Sequence, residues 1–252
     1  MLQQAEQLAT LRKRRLHVGL AHGESEIREA QKLRYRIFAE ELGARLPTRT
    51  PGVDIDLYDP FCDHLIVRDE DNNRIVGTYR ILTPDAARRV GGYYSETEFD
   101  LTRLQLLRES MVEIGRSCID PDYRTGGTIA LLWSGLARYM AQGNYRTLIG
   151  CASIGMADGG HIAANLYSRL GEHMAPPEYR VFPRHPLPVE RLFNGQPAEL
   201  PPLIKGYLRA GAYVGGEPAW DPDFNTADLL IMMPMSRVDS RYARHFLDRK
   251  AA

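Results

Sequence analysis

A pair of glycines before a predicted amphipathic helix is the first feature whose residue types suggest chemistry. The segment reads Arg124-Thr-Gly-Gly-Thr128, and glycine lets a backbone approach a ligand closely. N–H groups at a helix start carry partial positive charge, so the turn is suited to hold a phosphate or pyrophosphate. We predict Arg124, Gly126, Gly127 and Thr128 as this anion site, with a purely structural turn as the alternative. The spacing matches neither a P-loop nor a dinucleotide-binding GxGxxG motif.

Hydrophobic periodicity predicts the elements that hold this turn. The predicted helices cover 25–43, 128–140, 160–170, 203–210 and 240–250, and the predicted strands cover 64–68, 74–82, 111–119, 147–154 and 228–233, the first two as a hairpin. This mixture predicts one α/β domain around a sheet over residues 26–250. Residues 1–25 are predicted to form a basic N-terminal arm, either solvated or in contact with phospholipid or an acidic partner.

The composition excludes several classes of protein. The chain has 252 residues, of which 44% are hydrophobic and 25% charged, as in ordinary globular domains. Lys plus Arg and Asp plus Glu both number 32, so we expect no nucleic-acid partner. The apolar runs are far shorter than the ~20 residues of a membrane span. Three cysteines without a C-x-x-C pair argue against a zinc site or disulfide framework and favour a reducing, cytoplasmic compartment.

The strand-turn-helix segment resembles motif A of the GNAT acyltransferases, in which an Arg/Gln-x-x-Gly-x-Gly/Ala loop binds the pantetheine pyrophosphate. This chain lacks the second glycine of that pattern, and the single phosphate of acyl carrier protein would need only a reduced anion site. Other segments occur in the order found in acyl-homoserine-lactone synthases: Leu33–Glu41, Asp56–Asp59, Gly77–Leu82 and Glu113–Arg116. The run from about 26 to 247, with Gly216–Pro222 and Phe224–Asp228, looks more like the L-ornithine N-alpha-acyltransferases of bacterial ornithine-lipid synthesis.

This resemblance implies a GNAT-like mixed central sheet flanked by helices and splayed at the acyl-carrier site. It implies transfer of a fatty acyl group, commonly 3-hydroxyacyl, from acyl carrier protein to the α-amine of ornithine, giving lyso-ornithine lipid. Acyl carrier protein and ornithine are therefore the expected partners. Its acyl-phosphopantetheine is expected as co-substrate, and no permanently bound cofactor is expected. We expect a cytoplasmic protein, with peripheral contact to the inner membrane left open.

Amide formation from a thioester needs a neutral amine and therefore a base. We predict Glu113 in this role, with Arg116 as the second catalytic residue; a structural ion pair of Glu113 with Arg116 or Arg80 is the alternative. Side chains alternate along a strand, so we expect a bulge at Gly115 to turn both residues toward one cleft. Cys118 is predicted beside the carrier site, without an acyl-enzyme role, because no histidine lies near it in sequence.

Arginines are predicted to hold the substrate carboxylate: Arg36, Arg80 and Arg116. An acidic set is predicted to hold the side-chain ammonium of ornithine; its members are Asp54, Asp56, Asp59 and Asp63. A loop pinned by the arginines is an equally open alternative. The set is a poor calcium loop, because Leu65 stands at the twelfth position from Asp54, and no metal site is expected. Phe38, Tyr79 and Trp133 are predicted to line an acyl tunnel, although periodicity alone makes Trp133 a core residue.

Two other functions stay open at this stage. The first is a signal synthase that makes an acyl-homoserine lactone or another N-acyl amino acid, against which the extended C-terminal third stands. The second is a non-catalytic, membrane-active protein of the hemolysin-like kind, which the basic termini favour. The sequence contains no sizeable membrane-inserting segment, which argues against the membrane-active hypothesis.

Overall fold

A computed structural model describes residues 14–124 and 126–238, and a central mixed sheet organises them. The strands are β1 Leu16–Leu20, β2 Asp63–Asp69, β3 Arg74–Leu82, β4 Phe99–Asp100, β5 Met111–Ile119, β6 Thr147–Gly155, β7 Phe182–Pro183, β8 Tyr213–Val214, β9 Ala219–Asp221 and β10 Thr226–Pro234. The main sheet runs β1-β2-β3-β5-β6-β10-β8, with β9 also on β10, while β4 and β7 pair separately. Its pairs are antiparallel except β5 with β6.

Helices cover both faces of the sheet. They are α1 Gly23–Tyr35, α2 Pro84–Val90, α3 Gly127–Gln142, α4 His161–Tyr167, α5 Val189–Leu192 and α6 Pro202–Arg209. Other helical segments are the π-helical Arg36–Glu41 and the 3-10 segments Asp59–Phe61, Tyr94–Thr97, Thr102–Ser110, Pro121–Tyr123, Gly171–His173, Pro177–Tyr179 and Met235–Arg237. In the part of the chain that is described, no helix has the length and apolar character that a membrane span requires.

Alternation along β2 separates the two layers. Leu65 and Val67 belong to the large core that α3 covers, whereas Ile66, between them, packs in a smaller cluster with Leu33 of α1. Successive strand side chains point to opposite faces, so an apolar run such as this one indicates a strand buried on both sides. The predicted α/β class with a mixed sheet and flanking helices is therefore confirmed.

The N-terminal prediction needs a correction. Leu16–Leu20, expected within a basic arm, is instead the edge strand β1 and pairs antiparallel with β2. Val18 lies opposite Val67 and is buried in the main core, and that burial supplies the reason for ordering this segment. Residues 1–13 and the predicted helix at 240–250 lie outside the described residues. The predicted hairpin is confirmed, because β2 and β3 pair antiparallel through a turn that contains Asn73 at φ 54°.

Candidate active site

A bulge in β5 opens the sheet, and it lies at Arg116 instead of the predicted Gly115. Cys118 pairs with Thr78 and Gly115 with Arg80, so β5 has one residue more than β3 between these two pairs. Arg116 takes a φ of 49°, in the left-handed region that non-glycine residues seldom adopt. The pairing of β5 with its parallel partner has already ended at Glu113, before the bulge.

β5 and β6 pair only over Met111–Glu113, although both strands continue further. A cavity of about 240 Å³ occupies the gap, and Glu113, Arg116 and Ser117 all line it. A larger cavity of about 680 Å³ adjoins it, lined in part by Thr48, Asp56 and His185. Residues that line both cavities are Tyr58, Tyr94, Arg116, Asp221 and Phe224. The predicted splay is thus present where the predicted catalytic pair lies.

Glu113 is buried and is held by the turn Tyr94–Thr97. Its Oε2 accepts the backbone N–H of Tyr94 at 2.6 Å, and its Oε1 accepts the backbone N–H of Ser95 at 2.7 Å. The Ser95 hydroxyl donates a further short hydrogen bond to Oε1. No ion pair of Glu113 with Arg80 or Arg116 occurs within the described residues, so the structural alternative is not observed. Burial raises the pKa of Glu113, and a raised pKa makes its carboxylate a stronger proton acceptor.

Next to the cavity lies a buried network of arginine and aspartate side chains. Arg34 is fully buried and donates to Asp54 Oδ2 at 2.8 Å and to Asp59 Oδ1 at 2.6 Å. Arg80 reaches Asp59 Oδ2 at 3.0 Å and Asp56 Oδ1 at 2.6 Å. Burial alone would raise the pKa of Asp59, but the guanidinium groups of Arg34 and Arg80 hold that pKa well below its usual range. This loop is pinned by arginines, as the alternative expected, so Asp56 and Asp59 already have cationic partners, and their binding of the ornithine ammonium stays a prediction.

Arg116 is fixed by the same network. Its Nε lies 3.2 Å from Asp54 Oδ2 and its Nη2 lies 3.1 Å from Asp56 Oδ2. The guanidinium also lies over the Phe224 ring, 4.8 Å from the centroid. Nη1 has no hydrogen bond to any described residue, so the side chain keeps donors for a ligand in the cavity.

The predicted cluster of three arginines is wrong for Arg36. This residue lies in the π-helical turn, is half-exposed, and faces Asp120 at 3.5 Å, away from Arg80 and Arg116. A π-helical turn has more residues per turn than the α-helix that periodicity predicted over 25–43, so the side-chain directions after Tyr35 differ from the expected ones.

The double-glycine turn is open. Gly126 caps α3 with a φ of 83°, and a Cβ added at Gly126 or Gly127 would meet no described atom within 4 Å. The side chain of Arg124 is not free, because it forms two hydrogen bonds with the Glu41 carboxylate at 2.6 and 2.8 Å. The Thr128 hydroxyl donates to the Tyr123 carbonyl at 2.9 Å and has a structural role. The backbone of the turn, more than its side chains, is therefore available to an anion.

The aromatic residues predicted for the acyl tunnel divide into two places. Phe38 and Tyr79 line the 240 Å³ cavity. Trp133 instead stacks on Tyr207 at 5.4 Å and lines a separate cavity of about 60 Å³. Its indole nitrogen donates to the Tyr79 hydroxyl at 3.4 Å, so Trp133 contacts a residue that lines the 240 Å³ cavity but does not line that cavity itself.

The side chain of Cys118 is buried under α1 with Leu33 and Ile75, and burial raises the pKa of the thiol to about 12. A thiol in these surroundings is unreactive. Its place beside the carrier site stays a prediction, and Arg124 of that site is among the charges that act on the thiol.

Other residues that line the cavities were not predicted, and they come from distant parts of the sequence. They are Tyr94, Glu98, Cys151, Asp221, Phe224 and Asp228. The one local signal is Asp228, a charged residue at the start of an otherwise apolar strand. The segment before β4, which supplies Tyr94 and Glu98, shows no periodicity that would mark it.

Comparison with known proteins agrees with this geometry. The profile of the acetyltransferase (GNAT) domain matches residues 33–134. The chain is 38% identical over 249 residues to an L-ornithine N(alpha)-acyltransferase of Agrobacterium fabrum, covering 92% of this chain and 85% of that enzyme. It is 36% identical over 248 residues to the L-ornithine N(alpha)-acyltransferase of Brucella abortus, covering 92% and 88%.

The fold also matches a solved structure. The CoA-dependent acyl-homoserine lactone synthase BjaI, with MTA, superposes with a TM-score of 0.55 at 14% identity, covering 94% of this chain and 89% of that one. At this identity the likeness concerns the fold alone. Identity to the curated enzymes over nearly the whole chain decides the family: the chain belongs to the L-ornithine N(alpha)-acyltransferases of the GNAT superfamily.

Proposed function

We propose that this chain transfers a fatty acyl group from a thioester carrier to the α-amine of L-ornithine. The observation that carries the proposal is the juxtaposition, in one cavity, of a buried carboxylate and a fixed arginine beside diverging strands. Glu113 is the proposed base, and Arg116 is the proposed partner of the substrate carboxylate. Family membership supports the acceptor, because the relatives carry that activity in their names.

The proposed reaction begins with an α-ammonium group. Glu113 takes one proton, directly or through a water, and the neutral amine attacks the thioester carbonyl carbon. A backbone N–H near Ser117, whose residue lines the cavity, would stabilise the oxyanion. The C–S bond then breaks as the C–N amide bond is completed, and the remaining extra proton on nitrogen passes to the departing thiolate.

The proposed acyl donor is the phosphopantetheine arm of acyl carrier protein. The open turn at Gly126 and Gly127 offers backbone N–H groups at the start of a 16-residue helix, which suits a single phosphate. Arg124 would exchange its bond to Glu41 for a bond to that phosphate. The acyl chain would then enter the gap between β5 and β6, where Phe38 and Tyr79 provide apolar surface.

The test is an acceptor and donor panel with the purified protein. 3-Hydroxyacyl thioesters of acyl carrier protein and of coenzyme A are each incubated with ornithine, lysine, glutamine or homoserine, while free thiol and N-acylated products are measured. We expect ornithine-dependent thiol release and N-acylornithine, fastest with acyl carrier protein. Absence of ornithine-dependent release with both donors would refute the proposed acceptor. Faster transfer from coenzyme A would refute the proposed donor alone.

A further inference from the structure

Two buried carboxyl groups next to the proposed site lack a counter-charge. Glu98 and Asp228 are only 8% and 4% exposed. Both oxygens of Glu98 and Oδ1 of Asp228 have no hydrogen-bond partner among the described residues, and neither residue forms an ion pair there. Burying a carboxylate without a partner is costly, so a pair of them calls for an explanation.

Other buried carboxylates among the described residues have hydrogen-bond or ion-pair partners. Asp54 and Asp59 are as deeply buried, yet each is bonded to an arginine. Glu113, also buried, accepts three hydrogen bonds. Among residues 14–124 and 126–238, Glu98 and Asp228 are the exception, and both lie at a cavity wall: Asp228 lines the cavity that contains Glu113, and Glu98 lines the adjoining one.

Tertiary structure brings the two groups together. Ligand atoms of Glu98, Cys151 and Asp228 all lie within 4.8 Å of one another. Asp228 on β10 is opposite Ser153 of β6, and Cys151 lies on the same strand two residues earlier. Glu98 precedes β4, where its carbonyl accepts the Arg184 N–H at 2.7 Å. The groups therefore converge from three separate segments.

A short chain of contacts joins this pair to the proposed base. The Ser95 hydroxyl donates to Glu113 and lies 3.4 Å from the Cys151 sulfur, which in turn is within 4.8 Å of both carboxyl groups. Arg116 lines both cavities, as do Tyr94 and Asp221. A cationic donor, a base and an anionic pair thus line two adjoining cavities.

We propose that Glu98 and Asp228 bind the side-chain ammonium of the diamino acid substrate. This inference rests on the proposed function, because it assigns the acceptor's second amine within that same site. A substrate with a carboxylate at Arg116 and its α-amine at Glu113 leaves three methylenes to carry the second cation toward the pair. The ammonium then supplies the counter-charge and the hydrogen-bond donors that the two carboxyl groups lack.

The surroundings favour an organic cation over a metal ion. The third member of the cluster is the Cys151 thiol, and burial raises its pKa well above the usual value, so it stays protonated and is a poor ligand. Burial, together with the neighbouring Asp228 and Asp221, also raises the pKa of Glu98 to about 10. Glu98 keeps its proton in the free protein because its negative charge has no cationic partner there. A bound organic cation would replace that proton and supply the missing positive charge.

The experiment compares ornithine with norvaline, which has the same carbon skeleton without the terminal amine. Steady-state transfer is measured for the unchanged protein, Glu98→Gln and Asp228→Asn, with Glu172→Gln, an exposed position, as the matched control. We expect each cavity variant to raise the KM for ornithine by about 10- to 100-fold, as for loss of a charged hydrogen-bond partner. The rate of norvaline transfer by each variant should stay within about twofold of that of the unchanged protein. The preference for ornithine over norvaline is therefore lost in the variants. Unfolding curves of all variants establish that each is folded.

Several outcomes would overturn the inference. An unchanged ratio of ornithine to norvaline rates in both variants would show that the pair does not contact the second amine. An equal loss for both amino acids would place the α-amine at the pair instead. Stoichiometric Zn²⁺ binding that ornithine does not displace, lost in Glu98→Gln and needed for transfer, would identify a metal site. Failure of the unchanged protein to acylate ornithine at all would instead refute the proposed function.

Discussion

Replacing Glu98 by glutamine should stabilise the free protein at neutral and alkaline pH. The carboxyl of Glu98 faces Asp228 of β10, Asp221 of β9 and Cys151 of β6. It forms no ion pair with any described residue. Burial first, and the charges of Asp228 and Asp221 second, raise its pKa from 4.5 to about 10. Glutamine keeps nearly the same shape and has no charge, so it removes the cost of ionising this position.

The sign and size follow from the two pKa values. The folded state holds the proton more tightly than the unfolded chain, so this group contributes stability that is fully present below about pH 4.5 and is lost as pH rises toward about 10. At pH 7.5 the unfolded group has released its proton, about three pH units above its pKa, which sets an upper limit of about 4 kcal/mol on the loss. Because Asp228 lies close to Glu98 and its pKa is also raised by burial, the two titrations are linked, and we expect Glu98→Gln to gain about 1–3 kcal/mol at pH 7.5.

Urea unfolding at pH 4, 5.5, 7.5 and 8.5 measures this effect. The gain in the free energy of unfolding should disappear near pH 4, where the Glu98 side chain of the parent is as neutral as the glutamine of the variant. The gain should grow as the pH rises. Glu172→Gln, at an exposed position, should show no such slope. A Glu98→Gln protein that is no more stable than the parent at pH 7.5, or whose difference does not vary with pH, would refute the reasoning. Stability gained together with ornithine affinity lost would identify the pair as a site kept for function.

Four other perturbations test the rest of the site. Gly127→Val should raise the KM for the acyl carrier about tenfold, through loss of close phosphate contact, while Gly171→Val, at a similarly open position, should not; steady-state kinetics with purified carrier decides this. Glu113→Gln should lower kcat by ~10²-fold, and a full rate in a transfer assay would leave that residue a structural role. Arg34→Met removes one of the two arginines that bind each of the buried Asp54 and Asp59, and should cost about 3–5 kcal/mol in urea unfolding. Tyr207→Ala should join the 240 and 60 Å³ cavities and shift the preferred acyl chain to greater length, read by competition between thioesters; an unchanged chain-length profile would place the acyl chain elsewhere.

Much of the fold follows from local pattern. The hairpin of β2 and β3, the strand β5, the amphipathic α3 and the strand β6 all lie within a few residues of their predicted ranges. These elements depend on hydrophobic periodicity and turn residues, which are properties of short windows. Glu113 and Arg116 on one strand, and the glycines after it, were predicted for the same reason: all of them lie in one continuous strand-turn-helix segment.

The contacts that select a substrate depend on strand order instead. The order β5-β6-β10 brings Asp228 beside Cys151, and the turn before β4 brings Glu98 to the same place from 130 residues earlier in the chain. The bulge at Arg116, in place of Gly115, required a positive φ that the side-chain type does not favour but that surrounding ion pairs maintain. Sequence alone thus determined the elements and the family. Only the folded sheet decided which of the described buried charges have partners and which have none, because pairing between distant segments is set by topology and not by neighbours in the chain.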